Sequence, residues 1–578
     1  MIDPPSRSVP VGETRRLGDH ALLIGVADPT AARTLTRLVI AAGQNGVSEV
    51  VGGLATVMVA FDPGHEDLAS RRALVTALVE QARAERVEEA EGALVQIPCI
   101  FDGPDLAEVG DRTGLTAEDV VALLTAHALI VEAVGFSPGF GYLGGLPEPL
   151  RHVPRRSRPR PSVPAGSVAL ANGFAAVYPS ATPGGWQLIG RTDVPLFTPW
   201  TPPYARLAPG DRVQFVQTAA LEAQAVRAST PGAAGRDVPI VVTGGVRRVF
   251  VVEEPGVRTV LQDAGRRGVA ALGVPAATPA DPVSFRLANQ LVGNPPGAGT
   301  LEITARGPAL RCLDPTFVAV VGAFPDLFLD GQPVAAGRVV PVRVGQRLVV
   351  GPIRGGLRSY LALAGGLVGP RVLGSYASDE LAHLGPGPLQ RGDELWGAGM
   401  VPPMGDHLGA DVASTTSTST STPALDSAPE PVVLRVVPGP HPEHFAPGAF
   451  GALASARFTV DPASNRVGLR LRHDERTPSI ARAPGEAVEL DSQGVVTGAV
   501  QVPPNGEPVI LLTDHATLGG YPVIAVVAAV DHGVLGQCAP GSQVVLSPLD
   551  HGAAADALRA QDRVLRSAVV GHYPFAVE

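Results

Sequence analysis

Chain breakers set the limits on what this polypeptide can fold into. Its 68 glycines and 57 prolines among 578 residues make up about a fifth of the sequence, against roughly 12% in ordinary globular proteins. They follow no Gly-X-Y period, so the excess implies many turns between short elements rather than a collagen-like rod. Apolar residues at 45% and charged residues at 17% supply buried cores for those elements, which excludes a mostly disordered chain. At about 150 residues per domain, the length accommodates about four domains.

The pattern changes along the chain. Within 15–95, Ala21–Val26 and Ala55–Phe61 read as buried strands, and Thr30–Ala42 and Arg71–Glu91 have helical spacing. This is expected to be a small α/β domain. Thr116 is placed to cap a helix over 116–126 that opens with Glu118 and Asp119. From about Phe136 short apolar runs alternate with Pro-Gly and Gly-Gly, as in Val163–Ala171, Trp186–Gly190 and Val213–Val216, so 96–225 reads as sheet or barrel. A breaker-rich linker at 226–245 precedes a second strand-rich body with one good helix, Asp281–Val292. That body divides into 246–410 and 432–578 around a Ser/Thr/Pro-rich stretch, 411–431, with the composition of a disordered linker. Ala181-Thr-Pro-Gly-Gly-Trp186 is echoed by Ala516-Thr-Leu-Gly-Gly-Tyr521, each after a Val-Pro…Gly segment (from Val163 and from Val502), as two copies of one barrel-like unit would give.

Every one of the 45 basic residues is arginine. With no ε-amine, this chain carries no covalent biotin, Schiff base, P-loop lysine or lysine general base. A net charge of −10 disfavours nucleic acid and anionic membrane as partners. Cys99, Cys312 and Cys538 are isolated, and the longest apolar stretch, Val523–Val530, is far short of a bilayer span. A cytoplasmic protein is expected.

Literal motifs fail on their own chemistry. Gly135-Phe-Ser-Pro-Gly139 has the spacing of a nucleophile elbow, but Pro138 follows the serine and has no N–H for an oxyanion hole. Gly139-Phe-Gly-Tyr-Leu-Gly144 has dinucleotide-loop spacing without a helix to open. His441-Pro-Glu-His444 lacks the helical i, i+4 histidine pair of a zinc site. No metal centre is assigned.

Arginine-bearing, glycine-dense segments remain: Pro154–Val168, Pro183–Thr192 and Leu261–Gly268. Guanidinium forks suit carboxylates and phosphates, and glycine lets a ligand approach backbone N–H groups. The same segments carry a resemblance. With Gly18–Leu23 and Gly135–Leu146, the first body resembles the B-type component of bacterial 5-oxoprolinase, a family also called allophanate hydrolase subunit 1 or Kip. Through Gln262–Gly268, Leu272–Pro275, Asp281–Ser284, Leu287–Asn294, Leu301–Thr304, Tyr360–Gly366, Val372–Ser375, Val436–Pro440, Gly498–Pro503 and Gly519–Pro522, the second resembles the C-type component, allophanate hydrolase subunit 2 or the biotin-dependent carboxyltransferase-like family.

The resemblance implies a mainly β fold: a small N-terminal α/β domain, a cyclophilin-like barrel in the B half and two related barrel-like halves in the C half. It implies a B–C fusion that works with a separate A-type subunit to open 5-oxoproline to glutamate at the expense of ATP, with Mg²⁺ expected alongside. A lactam is a poor electrophile, so its carbonyl oxygen needs phosphorylation before water opens the ring. Such a site needs cations and a proton-transfer group. Arg155, Arg160, Arg191 and Arg266 are candidate anion clamps, with Trp186 and Gln262 as further binding residues. Asp263 and Glu302 are candidates for general base or magnesium ligand, and His515 for proton transfer. Asp263 pairing with Arg266 to hold a turn is the alternative. The chain departs from the family at Ala277–Asp281, at Tyr376-Ala-Ser378, at Gly385–Pro388 and at Ser464–Leu469. Two other functions stay open: a carboxyltransferase acting on urea or another amide with a biotin carrier on another chain, and a non-catalytic regulator of a kinase. Homo-oligomerisation is also left open.

Overall fold

The computed structural model describes residues 9–43, 46–63, 68–84, 92–221, 245–399, 411–412, 430–473, 480–483, 490–567 and 569–570. Nearly all of both expected linkers, and the expected helix tail at 85–91, lie outside these residues. Of the second linker, Asp411–Val412 is a short strand paired with Val569–Val570.

The N-terminal strands Thr14–Leu17, Ala21–Gly25, Thr56–Phe61 and Val47–Gly52 pair in that order as an antiparallel sheet. Helix Pro29–Ala41, capped by the Asp28 carboxylate on the Ala31 N–H, lays Leu35 and Val39 on one face of it, against Leu22, Ile24, Val57 and Val59. The other face (Leu23, Met58, Ala60) enters a second core with Phe140, Trp186, Leu518 and Val526 from later parts of the chain. A sheet covered on both faces needs continuous apolar runs, which is why Ala21–Gly25 and Thr56–Phe61 show no alternation.

Two barrels share one connectivity. The first consists of Leu94–Cys99, Leu129–Val134, Gly141–Gly144, Ser167–Ala171, Phe174–Val177, Gln187–Arg191 and Arg212–Gln217. Two backbone hydrogen bonds between Ile100 and Arg191, at 2.9 and 2.8 Å, join its edges. The other is a closed barrel of Val432–Pro438, Arg457–Val460, Gly468–His473, Ala499–Gln501, Val509–Leu511, Val523–Val527 and Gln543–Pro548. In each, first and last strands pair in parallel, and the remaining strands follow round the ring in the same order of appearance. Each also carries a two-stranded ribbon: Arg160–Val163 with Thr182–Gly184, and Gln493–Gly494 with Leu518–Gly519. The Gly-Gly-aromatic echo runs through these ribbons, with Gly184 opposite Arg160 and Gly519 opposite Gln493. Its Val-Pro part is not equivalent: Val163 ends a ribbon strand, whereas Val502 follows a barrel strand.

Between the barrels lies a ten-stranded sheet dominated by Thr316–Leu329 and Arg347–Leu363, with a different strand order. A bridge between Gly299 and Leu367 brings its far end back to Thr300–Thr304. Helix Pro282–Leu291, capped by Asp281 on the N–H groups of Val283 and Ser284, packs on Ala319, Tyr360 and Ala362. Thr116 and Asp119 form a reciprocal capping box at the start of Ala117–Ala126. Among the described residues no helix is long and apolar enough to cross a membrane.

Asp105 pins the first ribbon to its barrel. Its buried carboxylate accepts from the Leu188 N–H at 2.6 Å, from Arg160 at 2.7 Å and from Arg156 at 2.9 Å. Asp105→Ala would strand two guanidinium groups and a backbone donor, at a cost of about 3 kcal/mol. Chemical denaturation should show an earlier unfolding midpoint.

Candidate functional site

Strand Arg258–Gln262 ends by delivering Gln262 into a loop in which Gly265 has φ +82°. A Cβ there would come within 2.5 Å of the Ala276 carbonyl, so the turn requires glycine. Asp263 binds this loop to a second one: it accepts from Ser375 Oγ at 2.5 Å, from the Tyr376 N–H at 2.8 Å and from the Gly265 N–H at 2.9 Å. Arg266, 1% exposed, donates Nη2 to the Ala377 carbonyl at 2.6 Å and Nε to the Val372 carbonyl at 3.3 Å. Gln262 donates to the Ser378 carbonyl at 2.8 Å. The second loop takes left-handed backbone at Leu373 (φ +52°) and His383 (φ +54°), and the neighbouring 276–280 segment does so at Ala277 (φ +50°). Non-glycine residues held this way are strained, and such strain gathers at functional sites.

Four buried polar atoms in these loops have no hydrogen-bond partner: Gln262 Oε1, Arg266 Nη1, Ser378 Oγ and Asp379 Oδ2. Buried groups are normally satisfied, so a cluster of orphans points to a ligand that completes them. Burial first, and then the charge of Asp514, push the Asp379 carboxyl up to about 8, although Arg266 opposes the shift. Burial and the neighbouring carboxylate thus favour the protonated form of Asp379. Burial pulls the Arg266 guanidinium down, while Asp379, Asp263 and Asp514 oppose that.

A buried ion network packs against these loops from the last barrel. Arg466 bonds both Asp514 oxygens at 2.9 Å, the Thr278 carbonyl at 2.9 Å, and Glu302. Glu302 also accepts from Tyr360 Oη at 2.8 Å and the Ala280 N–H at 3.0 Å, with Arg358 at 3.5 Å. Its burial raises the pKa, but Arg466 and Arg358 outweigh that and hold it at about 2. Asp514 in turn accepts from the Glu380 N–H at 2.9 Å.

The residues expected from sequence fall into separate places. Gln262, Asp263, Arg266 and Glu302 converge here; Asp263 pairs with Ser375 rather than Arg266, and Glu302 is spent on arginines. His515 donates Nδ1 to the Ala516 carbonyl at 2.7 Å and makes no bond to its neighbour Asp514. Arg160 is committed to Asp105, and Arg155 lies half-buried beside Tyr178. Trp186 stacks edge-on with Phe140 and Tyr142 in a core, and exposed Arg191 pairs with Asp102 at 2.9 Å. Sequence reasoning misses Arg466, Asp379 and Ser378. Arg466 stands in a segment marked only as divergent, and nothing in the local sequence distinguishes Asp379 from a surface acid. Tyr376, in a segment marked as departing from the family, carries the Arg371 guanidinium over its ring at 4.9 Å.

Two outcomes follow. Arg466→Met would leave Asp514 buried without its cation and Glu302 with only Arg358 nearby, and should cost about 3–5 kcal/mol in a denaturation experiment. Asp379 binds its proton more tightly folded than unfolded, so its contribution is full below pH ~4 and disappears as pH rises through about 8. Asp379→Asn should flatten that decline in unfolding midpoints measured from pH 5 to 9.

Comparison with known proteins fits this architecture. Residues 272–548 match the family model described as carboxyltransferase domain, subdomain A and B, and residues 13–207 match carboxyltransferase domain, subdomain C and D. The B component of 5-oxoprolinase from Escherichia coli O157:H7 is 49% identical over 131 residues, 22% of this chain and 60% of that protein. The C component from Escherichia coli K12 is 32% identical over 289 residues, 50% of this chain and 87% of that protein. Urea amidolyase of Lachancea kluyveri is 30% identical over 338 residues, 55% of this chain but only 18% of that protein. The solved structure of TTHA0988 aligns with a TM-score of 0.78 at 32% identity, covering 93% of this chain and 100% of that one. The chain belongs to the carboxyltransferase-domain family that includes the B and C components of 5-oxoprolinase, with a B-like and a C-like part joined in one polypeptide.

Proposed function

We propose that this chain is the fused B–C component of an ATP-dependent 5-oxoprolinase, converting 5-oxoproline to glutamate together with a separate A-type subunit. The observation that carries this reading is the cluster of buried orphan groups, which suits a small carboxylate bearing a ring nitrogen that must gain a proton. Arg266 Nη1 and Ser378 Oγ are donors for the carboxylate. Protonated Asp379 is a general acid for the nitrogen that leaves as the ring C–N bond breaks and water adds to the carbonyl carbon.

ATP would supply activation of the lactam carbonyl. Of the two loops that carry Gln262–Gly268 and Val372–Asp379, Arg266 Nη1 is the one unpartnered cationic donor among the described residues, which fits one carboxylate better than a triphosphate. The Asp263 carboxylate is taken up by Ser375 and the Tyr376 and Gly265 N–H groups, and the Glu302 carboxylate by Arg466, Tyr360 and the Ala280 N–H. Neither Asp263 nor Glu302 is therefore assigned to magnesium, and we place the nucleotide with the partner subunit.

The test is to combine the purified chain with its A-type subunit and assay glutamate from 5-oxoproline with and without ATP. Turnover should need both proteins and ATP. Arg266→Met should raise KM by about tenfold or more, and Asp379→Asn should lower kcat by about 100-fold. The urea amidolyase likeness supports one other reading, carboxyl transfer to an amide from a biotin carrier on another chain. Urea carboxylation with a carrier and carboxylase, without glutamate formation, would replace the first reading by that one.

A further inference from the structure

The two barrels carry one device twice, and the copies differ in how completely they are closed. In the first, Asp105 accepts from the Leu188 N–H and from Arg160, the residue opposite Gly184. In the last barrel His441 takes that place. Its Nδ1 accepts from the Val523 N–H at 2.9 Å, and its Nε2 lies 3.2 Å from Oε1 of Gln493, the residue opposite Gly519. Because Nδ1 accepts, the ring proton sits on Nε2 and is donated to Gln493. That bond turns the Gln493 amide nitrogen away from the histidine. Burial, helped by His444, brings His441 down to about 3, so the ring is neutral.

The ion pair of the first copy satisfies Asp105 and leaves Thr182 Oγ1, the counterpart of Thr517, without a partner; the neutral pair of the second leaves two amide donors over in addition to that threonine hydroxyl. Gln493 Nε2, Gln501 Nε2 and Thr517 Oγ1 are all buried without a partner. They share one face. Gln493 is directly opposite Gly519, Thr517 is two residues before it, and strand side chains alternate with period two. A methyl on Gly519 would stand 2.7 Å from Gln501 Nε2, so glycine is what admits that amide to the ribbon. The opposite face is apolar and structural: Gly494 abuts Met58 of the N-terminal sheet, and Leu518 abuts Gly135 of the first barrel. The ribbon thus lies where the B-like and C-like parts meet.

We propose that the polar face of this ribbon binds a small neutral carbonyl compound, a lactam or amide, whose oxygen accepts from Gln493, Gln501 and Thr517. The donors are uncharged, which matches a carbonyl oxygen rather than a phosphate. Thr517 follows Asp514 by three residues, at most about 11 Å of chain, so the face adjoins the ion network around Arg466. The choice of a lactam as probe rests on the 5-oxoprolinase reading; the donor geometry does not.

Saturation-transfer NMR and calorimetry on the full chain with 2-pyrrolidinone, a lactam without a carboxylate, test the site. Wild type should bind it, and Thr517→Val and Gln501→Met should each weaken binding about tenfold, the equivalent of one lost hydrogen bond. Unfolding midpoints should hold or rise, because each substitution removes an unsatisfied polar group. Gly519→Ala fills the face without deleting a donor and should also abolish binding, which covers the case where a donor variant folds poorly. No binding by wild type, or unchanged affinity in all three variants, would overturn the proposal while leaving turnover of 5-oxoproline untouched. Variant-sensitive binding without turnover beside the A-type subunit would keep this site and remove the 5-oxoprolinase reading.

Discussion

The Arg466 guanidinium is the tie on which the C-like part depends. It leaves the last barrel and is neutralised by Asp514 from that barrel and by Glu302 from the central sheet. Taking three charges out of water is expensive, and close contact repays it only when every lone pair and proton finds a partner. Tyr360, the Ala280 N–H and the Glu380 N–H supply those partners. The arrangement fixes the barrel against the sheet in one relative position. The loops that carry Arg266 and Asp379 are held between them.

Satisfaction in one place makes the lack of it next door informative. Beside a network with its oxygens paired stand Gln262, Arg266, Ser378 and Asp379, each with an unmet atom. In a low-dielectric surrounding, orphan donors beside a carboxyl raised by burial would stabilise charge that a bound group brings. Strained Leu373, Ala277 and His383 belong to the same picture, since their conformations persist only where surrounding contacts impose them.

The duplicated barrel shows how one scaffold supports different chemistry. Asp105 and His441 hold equivalent positions after the first strand, each accepting from the same backbone site in the sixth. The carboxylate draws in arginines and locks its ribbon. The neutral imidazole leaves amide groups unspent. The sequence echo pointed to the duplication through Gly184 and Gly519, which both repeats need for close packing in the ribbon. The Val-Pro similarity was coincidence between a ribbon edge and a barrel strand.

Much of the architecture was legible because it is local. Gly and Pro punctuation marked turns between short strands, continuous apolar runs marked buried strands, and Thr116 marked a helix start through short-range capping. The absence of lysine fixed the cation chemistry through composition alone. The site was legible only in part. Gln262, Asp263, Arg266 and Glu302 were found because their glycine-dense or family-like surroundings flagged them. The tertiary structure alone decided that Arg160 and Arg191 are paired elsewhere, that Trp186 is core, and that Asp379 is shifted toward its protonated form. The physical reason is range: desolvation and ion pairing depend on residues such as Arg466, Asp514 and Glu302, far apart in the chain, and no local pattern encodes which charge will be buried beside which.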